Sequence, residues 1–361
     1  AFTQVSLAPP ADLVVGTITL PENGVPGRSA TIGFSIENQG SNPAMGSWSD
    51  SVYLSLDTTW DINDALFGVA VHSGTVNGGS SYSSTVTGTL PGVTPGDYHV
   101  IVRSDIRNHI PESDETNNIG GSLNTVELDI DALTMGVAET YTLGTGQAVY
   151  YKFEVAAGET VRLTLDSTAD DIANELFVRF GSMPTRGQFD VAAREGFTAD
   201  PQLVIPTTQA GTYYVLAYGQ YAPGSPQFSI KAEIIPFSIT DVDARIVSNA
   251  GNATLRIQGA KFGENTDFRL VGPDGTTVYA HDIQLDSSSE AYASFNLFQI
   301  PLGAYTVFAD QLGTQPDGST VVLSSTSLAN ALTVRESAES DGVYMNIAGP
   351  TDVMVNRTNM F

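Results

Sequence analysis

Pro-Gly-Asp-Tyr-His-Val-Ile-Val-Arg (95–103) returns as Ala-Gly-Thr-Tyr-Tyr-Val-Leu-Ala-Tyr (210–218) and again as Leu-Gly-Ala-Tyr-Thr-Val-Phe-Ala-Asp (302–310). Each copy is Gly-x-Tyr followed by apolar residues at every second position. The glycine admits a tight turn into a strand, and the alternation turns one strand face into a core. A tyrosine just after such a turn pins the corner of a β-sandwich, its ring buried and its hydroxyl bonded to nearby backbone. Tyr98, Tyr213 and Tyr305 lie 115 and 92 residues apart, about the length of one sandwich, so the pattern predicts an array of large units and not a solenoid. The expected fold is all-β, three tandem β-sandwiches.

Composition agrees. In 361 residues only 15% are charged, while 35 are glycine, as many turns and short strands require. No long window repeats apolar residues at helical spacing. Cysteine is absent; together with the Gly- and Thr-rich pattern this predicts a bacterial exported protein stabilised without disulfides. Forty acids against 15 bases leave a net charge of −25, a field that repels phosphate backbones and anionic lipid and so excludes nucleic acid as a natural partner. It suits divalent cations, or equally an acidic surface in salty surroundings. No apolar run reaches the ~20 residues a membrane helix needs, and no signal-peptide pattern precedes Ala1. The export signal is expected to lie outside this chain.

Taken in order, strands are expected at 11–20, Ala30–Asn38, Ser51–Asp57, Ser80–Leu90, around Tyr98 and over Ile119–Leu128, close to the seven of an immunoglobulin-like domain. Here the chain resembles a known family. Leu54-Ser-Leu-Asp57, the acidic loop to Asp64, Leu90-Pro91 ahead of Gly96-Asp-Tyr98, and Glu112-Ser-Asp-Glu115-Thr-Asn117-Asn118 are similar to the CARDB domain, a cell-adhesion-related domain of bacteria. Tyr141-Thr-Leu, Ala148–Val155, Ala157-Gly-Glu159, Val161–Asp166 and Glu175–Phe180 resemble the bacterial pre-peptidase C-terminal domain, which implies a jelly-roll-like sandwich. Thr254-Leu-Arg-Ile-Gln-Gly259-Ala-Lys-Phe262-Gly263 resembles the core of IPT/TIG immunoglobulin-like domains, although the usual Gly-Gly before that strand is here Asn249-Ala-Gly251-Asn252. The expected domains are 1–127, 128–234 and 235–335. A polar linker and the first strand of a further unit are expected over 336–361, so the chain reads as part of something longer.

Three acidic groups are candidate cation sites. Asp57, Asp61, Asn63 and Asp64 place four oxygen-bearing side chains within eight residues, enough to begin wrapping a hard ion such as Ca²⁺; the alternative is a turn whose Asp and Asn cap backbone N–H groups. Asp105, Asn108, Glu112, Glu115 and Asn117 follow the Tyr98 strand as a second acidic loop, to be weighed against a hairpin satisfying its own backbone. Because strands 51–57 and 96–103 should run antiparallel, these two loops fall at opposite poles, and one ion shared between them is not expected. Glu127, Asp129 and Asp131 form an acidic junction between the first two domains, able to hold an interdomain cation or simply to be solvated. Trp60 and Tyr221 are the aromatics that could stack on a sugar, against the commoner role of core plug.

Catalytic patterns are missing. The four histidines (72, 99, 109, 281) are scattered, and there is no His-Glu-x-x-His, Gly-x-Ser-x-Gly or phosphate-binding glycine loop. The chain is therefore expected to be a non-catalytic, calcium-stiffened segment of a secreted or cell-surface bacterial protein. Its partners would be neighbouring domains and a surface glycan or protein, with no insertion into membranes. The alternative is the accessory carbohydrate- or peptide-binding region of a secreted hydrolase or peptidase.

Overall fold

A computed structural model describes residues 10–194 and 196–336; the expected linker and further strand beyond 336 lie outside them. The described residues form strands and turns with no helix. They gather into two compact units. One runs to Glu154 and adds Thr164–Gln202 and Thr212–Lys231; the other joins Val155–Leu163 and Leu203–Gly211 to the chain from Ala232 onward.

In the first unit, strands Leu13–Thr19, Ser29–Asn38 and Ser81–Thr89 form one sheet. A second sheet runs in the order Asn23–Gly24, Val126–Leu128, Gly96–Arg103, Ala44–Ser55, Ala65–Val76, with Ile119–Gly121 also paired to Gly96–Arg103. Their inward residues make one core: Leu13, Ile32, Phe34 and Ile36 from the first sheet, Trp48, Val52, Leu54, Val100 and Val102 from the second. Each such side chain contributes about 1.5–3 kcal/mol by leaving water. Two features differ from the sequence reading. The strand expected at Ser51 begins at Ala44, and Ala65–Val76, a full-length edge strand, is additional. Its Gly68 and Gly74 interrupt the alternation by which strands are recognised, and as an edge strand it leaves Leu66 and Val71 exposed.

The same unit carries most of the second sandwich. Asp131–Ala132, Ala148–Val155, Gly211–Tyr221, Ala173–Phe180 and Val191–Ala193 lie side by side in that order, and Ala138–Thr142, Gln227–Ile235, Thr160–Ser167 and Gln202–Ile205 form its other sheet. In the second unit, the sheet Ser238–Val242, Asn252–Ala260, Glu290–Asn296, Asp282–Ser287 and the sheet Ile246–Ser248, Thr320–Arg335, Gly303–Thr314, Thr266–Val271, Thr277–Tyr279 enclose Leu255, Ile257, Phe268, Phe295, Tyr305 and Val307.

The repeated motif performs as its chemistry predicts. Tyr98 Oη donates to the Thr94 carbonyl at 2.7 Å and Tyr305 Oη to the Pro301 carbonyl at 2.8 Å, each four residues back. Tyr213 buries its ring against Phe153, stacked at 5.4 Å between centroids. Gly211 and Gly303 take φ of 133° and 135°, a region that side chains rarely enter. Removing one corner bond, as Tyr98→Phe or Tyr305→Phe, should lower stability by about 0.5–1.5 kcal/mol with the fold kept. Denaturant midpoints at unchanged slope are the check.

Candidate functional site

Strand Ala44–Ser55 carries Trp48, Asp50, Val52 and Leu54 on alternate positions, all buried. A carboxylate in that register must be hydrogen-bonded. Asp50 Oδ2 accepts the Tyr82 hydroxyl at 2.6 Å, while Oδ1 accepts Ser104 Oγ at 2.9 Å and the Asp105 N–H at 3.2 Å. Trp48 Nε1–H donates to Tyr82 Oη at 2.9 Å, so Tyr82, from the opposite sheet, links the two layers. Burial pushes the Asp50 carboxyl above its ordinary range, though these three donors pull it back. His72 lies 3.9 Å from the Tyr82 ring and 4.4 Å from that of Trp48, centroid to centroid, and burial lowers its pKa.

The hairpin that follows Gly96–Arg103 is anchored on this network. Asp105 turns the chain at φ 38° and Asn108 at φ 50°, and Asp105 Oδ2 accepts the Ile110 N–H at 2.6 Å. Glu112 reaches across to the first strand, where Oε2 accepts the Leu13 N–H, while its Oε1 accepts Asn118 Nδ2 at 2.7 Å. Asn117 Nδ2 donates to Asp12 at 3.0 Å, and the Ser113 N–H to the Ala11 carbonyl at 2.8 Å. Burial, with the charges of Glu115 and Asp105 adding, pushes Glu112 up to about 7. Glu115 is exposed and accepts the Glu112 N–H at 3.1 Å.

The loop from Asp57 to Asp64 closes on itself. Asp57 accepts the Thr59 N–H at 2.7 Å, Asp61 the Asn63 N–H at 2.6 Å, and Asp64 the Asp61 N–H at 2.9 Å. These are side-chain-capped turns. Strand pairing sets Ser55 against His99 and Ser51 against Arg103, so the two acidic loops leave this pair at opposite ends, as expected. Trp60 is half-buried. The Arg103 guanidinium lies 3.8 Å from its ring centroid and Tyr53 packs edge-on at 6.0 Å, so one face of the expected sugar platform is occupied. Tyr221 is exposed and has a companion that the sequence reading missed: Phe197, 70% exposed, with ring centroids 6.1 Å apart.

At the junction of the first two sandwiches the acids meet side-chain cations. Asp131 pairs with Arg28 at 2.7 Å and Asp129 with Lys152 at 2.5 Å. Burial acts to raise the Asp129 carboxyl, but the Lys152 bond, the Ile130 N–H and the Lys152 charge outweigh it and hold it low. Glu127 is exposed in Val126–Leu128. Arg28 also lies over the Tyr141 ring at 5.1 Å. Gly92 abuts Tyr150 so closely that a Cβ there would overlap the hydroxyl.

Among the described residues no group of three or more His, Cys, Asp or Glu is placed to hold a metal, and no helix is long and apolar enough to cross a membrane. The architecture is that of a modular all-β chain whose polar side chains tie strands and junctions together. Residues 10–121 match the CARDB family model and residues 147–219 that of the bacterial pre-peptidase C-terminal domain, both non-catalytic domain families. No curated protein matches the chain. Among solved structures, it is similar to the CARDB domain of a Pyrococcus furiosus protein in complex with di-metal ions. That likeness has 19% identity, covers 35% of this chain and 95% of that one, and has a TM-score of 0.26. The pre-peptidase C-terminal domain of a Bacillus anthracis collagenase is 12% identical, with 29% and 95% covered and a TM-score of 0.25.

Tyr82→Phe removes the donor to Asp50 and the acceptor of Trp48 together, leaving two buried groups unpaired at about 1–3 kcal/mol each. Chemical denaturation should show a loss of about 2–6 kcal/mol. A loss as small as that of an exposed Tyr→Phe change would mean the network does not tie the sheets.

Proposed function

We propose that the chain is a non-catalytic spacer and adhesion segment of a bacterial extracellular or cell-surface protein, its third sandwich an IPT/TIG-like domain. Neighbouring domains of a longer chain and a surface glycan or protein are its partners. The observation that carries this reading is that both junctions are tied by ion pairs and side-chain hydrogen bonds. At the first, Asp131 and Asp129, beside the connection, pair with Arg28 and Lys152, and Gly92 abuts Tyr150. At the second, Lys261 pairs with Glu159 at 2.6 Å, Thr207 and Ser288 hydroxyls meet at 2.8 Å, and Ser288 donates to the Pro206 carbonyl. Exposed ion pairs contribute only about 0–1 kcal/mol each, so their role is to select one arrangement. Tyr305 pinning its corner and Phe262 packing edge-on against Phe268 at 5.2 Å support the assignment of the third sandwich.

The cysteine-free chain allows a direct test. Cysteines placed at exposed Ser83 and Gln188 can carry spin labels on the first and second sandwiches. A spacer should give one narrow distance distribution, broadened when Arg28 and Lys152 are both changed to Ala. A broad distribution in the unmodified background would mean a hinge and would sink the spacer reading.

A second reading, an accessory carbohydrate- or peptide-binding region of a secreted hydrolase, is favoured by one observation, the exposed Phe197–Tyr221 pair. Stacking on such a pair would give reproducible signals on a glycan array, reduced at least tenfold by Phe197→Ala or Tyr221→Ala. Signals that survive both substitutions would place binding elsewhere.

A further inference from the structure

The hairpin between Gly96–Arg103 and Ile119–Gly121 contains oxygens that its own hydrogen-bond logic leaves without donors. Asp105 is 1% exposed and Asn118 6% exposed. Asp105 spends Oδ2 on the Ile110 N–H, and its Oδ1 is buried with no partner. Asn118 gives its amide N–H to Glu112, Asn117 gives its own to Asp12, and the Oδ1 of each is likewise buried and unpartnered. Flipping either amide offers no remedy, because it would set an amide oxygen against a carboxylate. The orientation of both asparagines is thereby forced, and three acceptors are left over.

Charge tells the same story. Among the described residues no Lys or Arg pairs with Asp50, Asp105 or Glu112; of the two arginines that flank Asp105 in sequence, Arg103 is stacked on Trp60 and Arg107 is exposed. Each unpaired buried acceptor is costly, and one water brings only two protons to three oxygens.

We propose that this hairpin binds one divalent cation of calcium's size and hardness, held by Asp105 Oδ1, Asn117 Oδ1 and Asn118 Oδ1 beside the Glu112 carboxylate. Carboxylate, amide and water oxygens in loose geometry suit calcium, whereas magnesium demands a near-ideal octahedron, and zinc favours nitrogen and sulfur. Only two of these groups are carboxylates, so the ion is held weakly, in the range of extracellular modules, with Kd about 10⁻⁴–10⁻³ M. Bound there, it locks the hairpin to Asp12 and Leu13 and so fixes the entry of the chain into the first sandwich. The inference is independent of the spacer reading, whose test does not involve this loop.

The experiment is calorimetry on the full chain after EDTA treatment. Calcium titrated into it should bind at one site, and ~10 mM calcium should raise the melting transition of the first sandwich by roughly 5–20 °C. Asp105→Asn keeps an oxygen for the Ile110 N–H and turns an amide N–H toward the leftover acceptors, so the protein should fold and its calcium response should vanish. Should that variant not fold, the unmodified chain decides: magnesium at equal concentration should raise the transition several-fold less than calcium does, and an equal rise overturns the proposal. No calcium response in the unmodified chain overturns the proposal. So does a shift reproduced by sodium chloride of equal ionic strength, or a response kept in Asp105→Asn and lost in Asp61→Asn.

Discussion

A carboxylate in the core face of a strand is a constraint that the rest of the first sandwich must accommodate. Asp50 sits in register with Trp48, Val52 and Leu54, and burying it without donors would cost several kcal/mol. Tyr82 answers from the opposite sheet, and Ser104 and the Asp105 N–H from the turn that follows the Tyr98 strand. The bond to Tyr82 aligns two layers that hydrophobic contact alone would hold in several ways. The bonds to Ser104 and Asp105 start the hairpin, and through Glu112 the hairpin captures the first strand. Core, hairpin and chain entry are thus successive consequences of one buried charge.

Between sandwiches the interactions are of another kind. The junction pairs are partly exposed, with side-chain exposures of 42% and 57% for Arg28 and Asp131, so screening leaves them little stabilising energy. They act by geometry: an arginine that must satisfy both Asp131 and the Tyr141 ring tolerates few arrangements. Asp129 and Asp131, expected to face solvent or an ion, therefore face basic side chains, in a chain with only 15 basic residues.

Much of the architecture was legible because period-2 alternation and turn glycines are local signals. The Gly-x-Tyr copies, the strands Ala148–Val155 and Thr160–Ser167, and the two corner hydrogen bonds all follow from residues within ten positions of each other. Ala65–Val76 was missed since an edge strand needs only one paired side, and its glycines blur the pattern. The Asp50 network carried one overlooked signal, an acid in the Trp48–Leu54 core register; its partners Tyr82 and Ser104 lie 32 and 54 residues away. Phe197 offered nothing beyond an aromatic after a glycine.

By itself, then, the sequence determined the all-β class, the tandem repetition and the acidic surface, because these rest on periodicity, composition and charge, which need no knowledge of partners. Tertiary structure alone decided which acids cap turns, as at Asp57–Asp64, which are met by bases, as at Asp129 and Asp131, and which oxygens are left over, as at Asp105, Asn117 and Asn118. The reason is that a carboxylate or amide is defined chemically by what donates to it, and in a sandwich those donors come from strands distant in sequence and adjacent only once the sheets have paired.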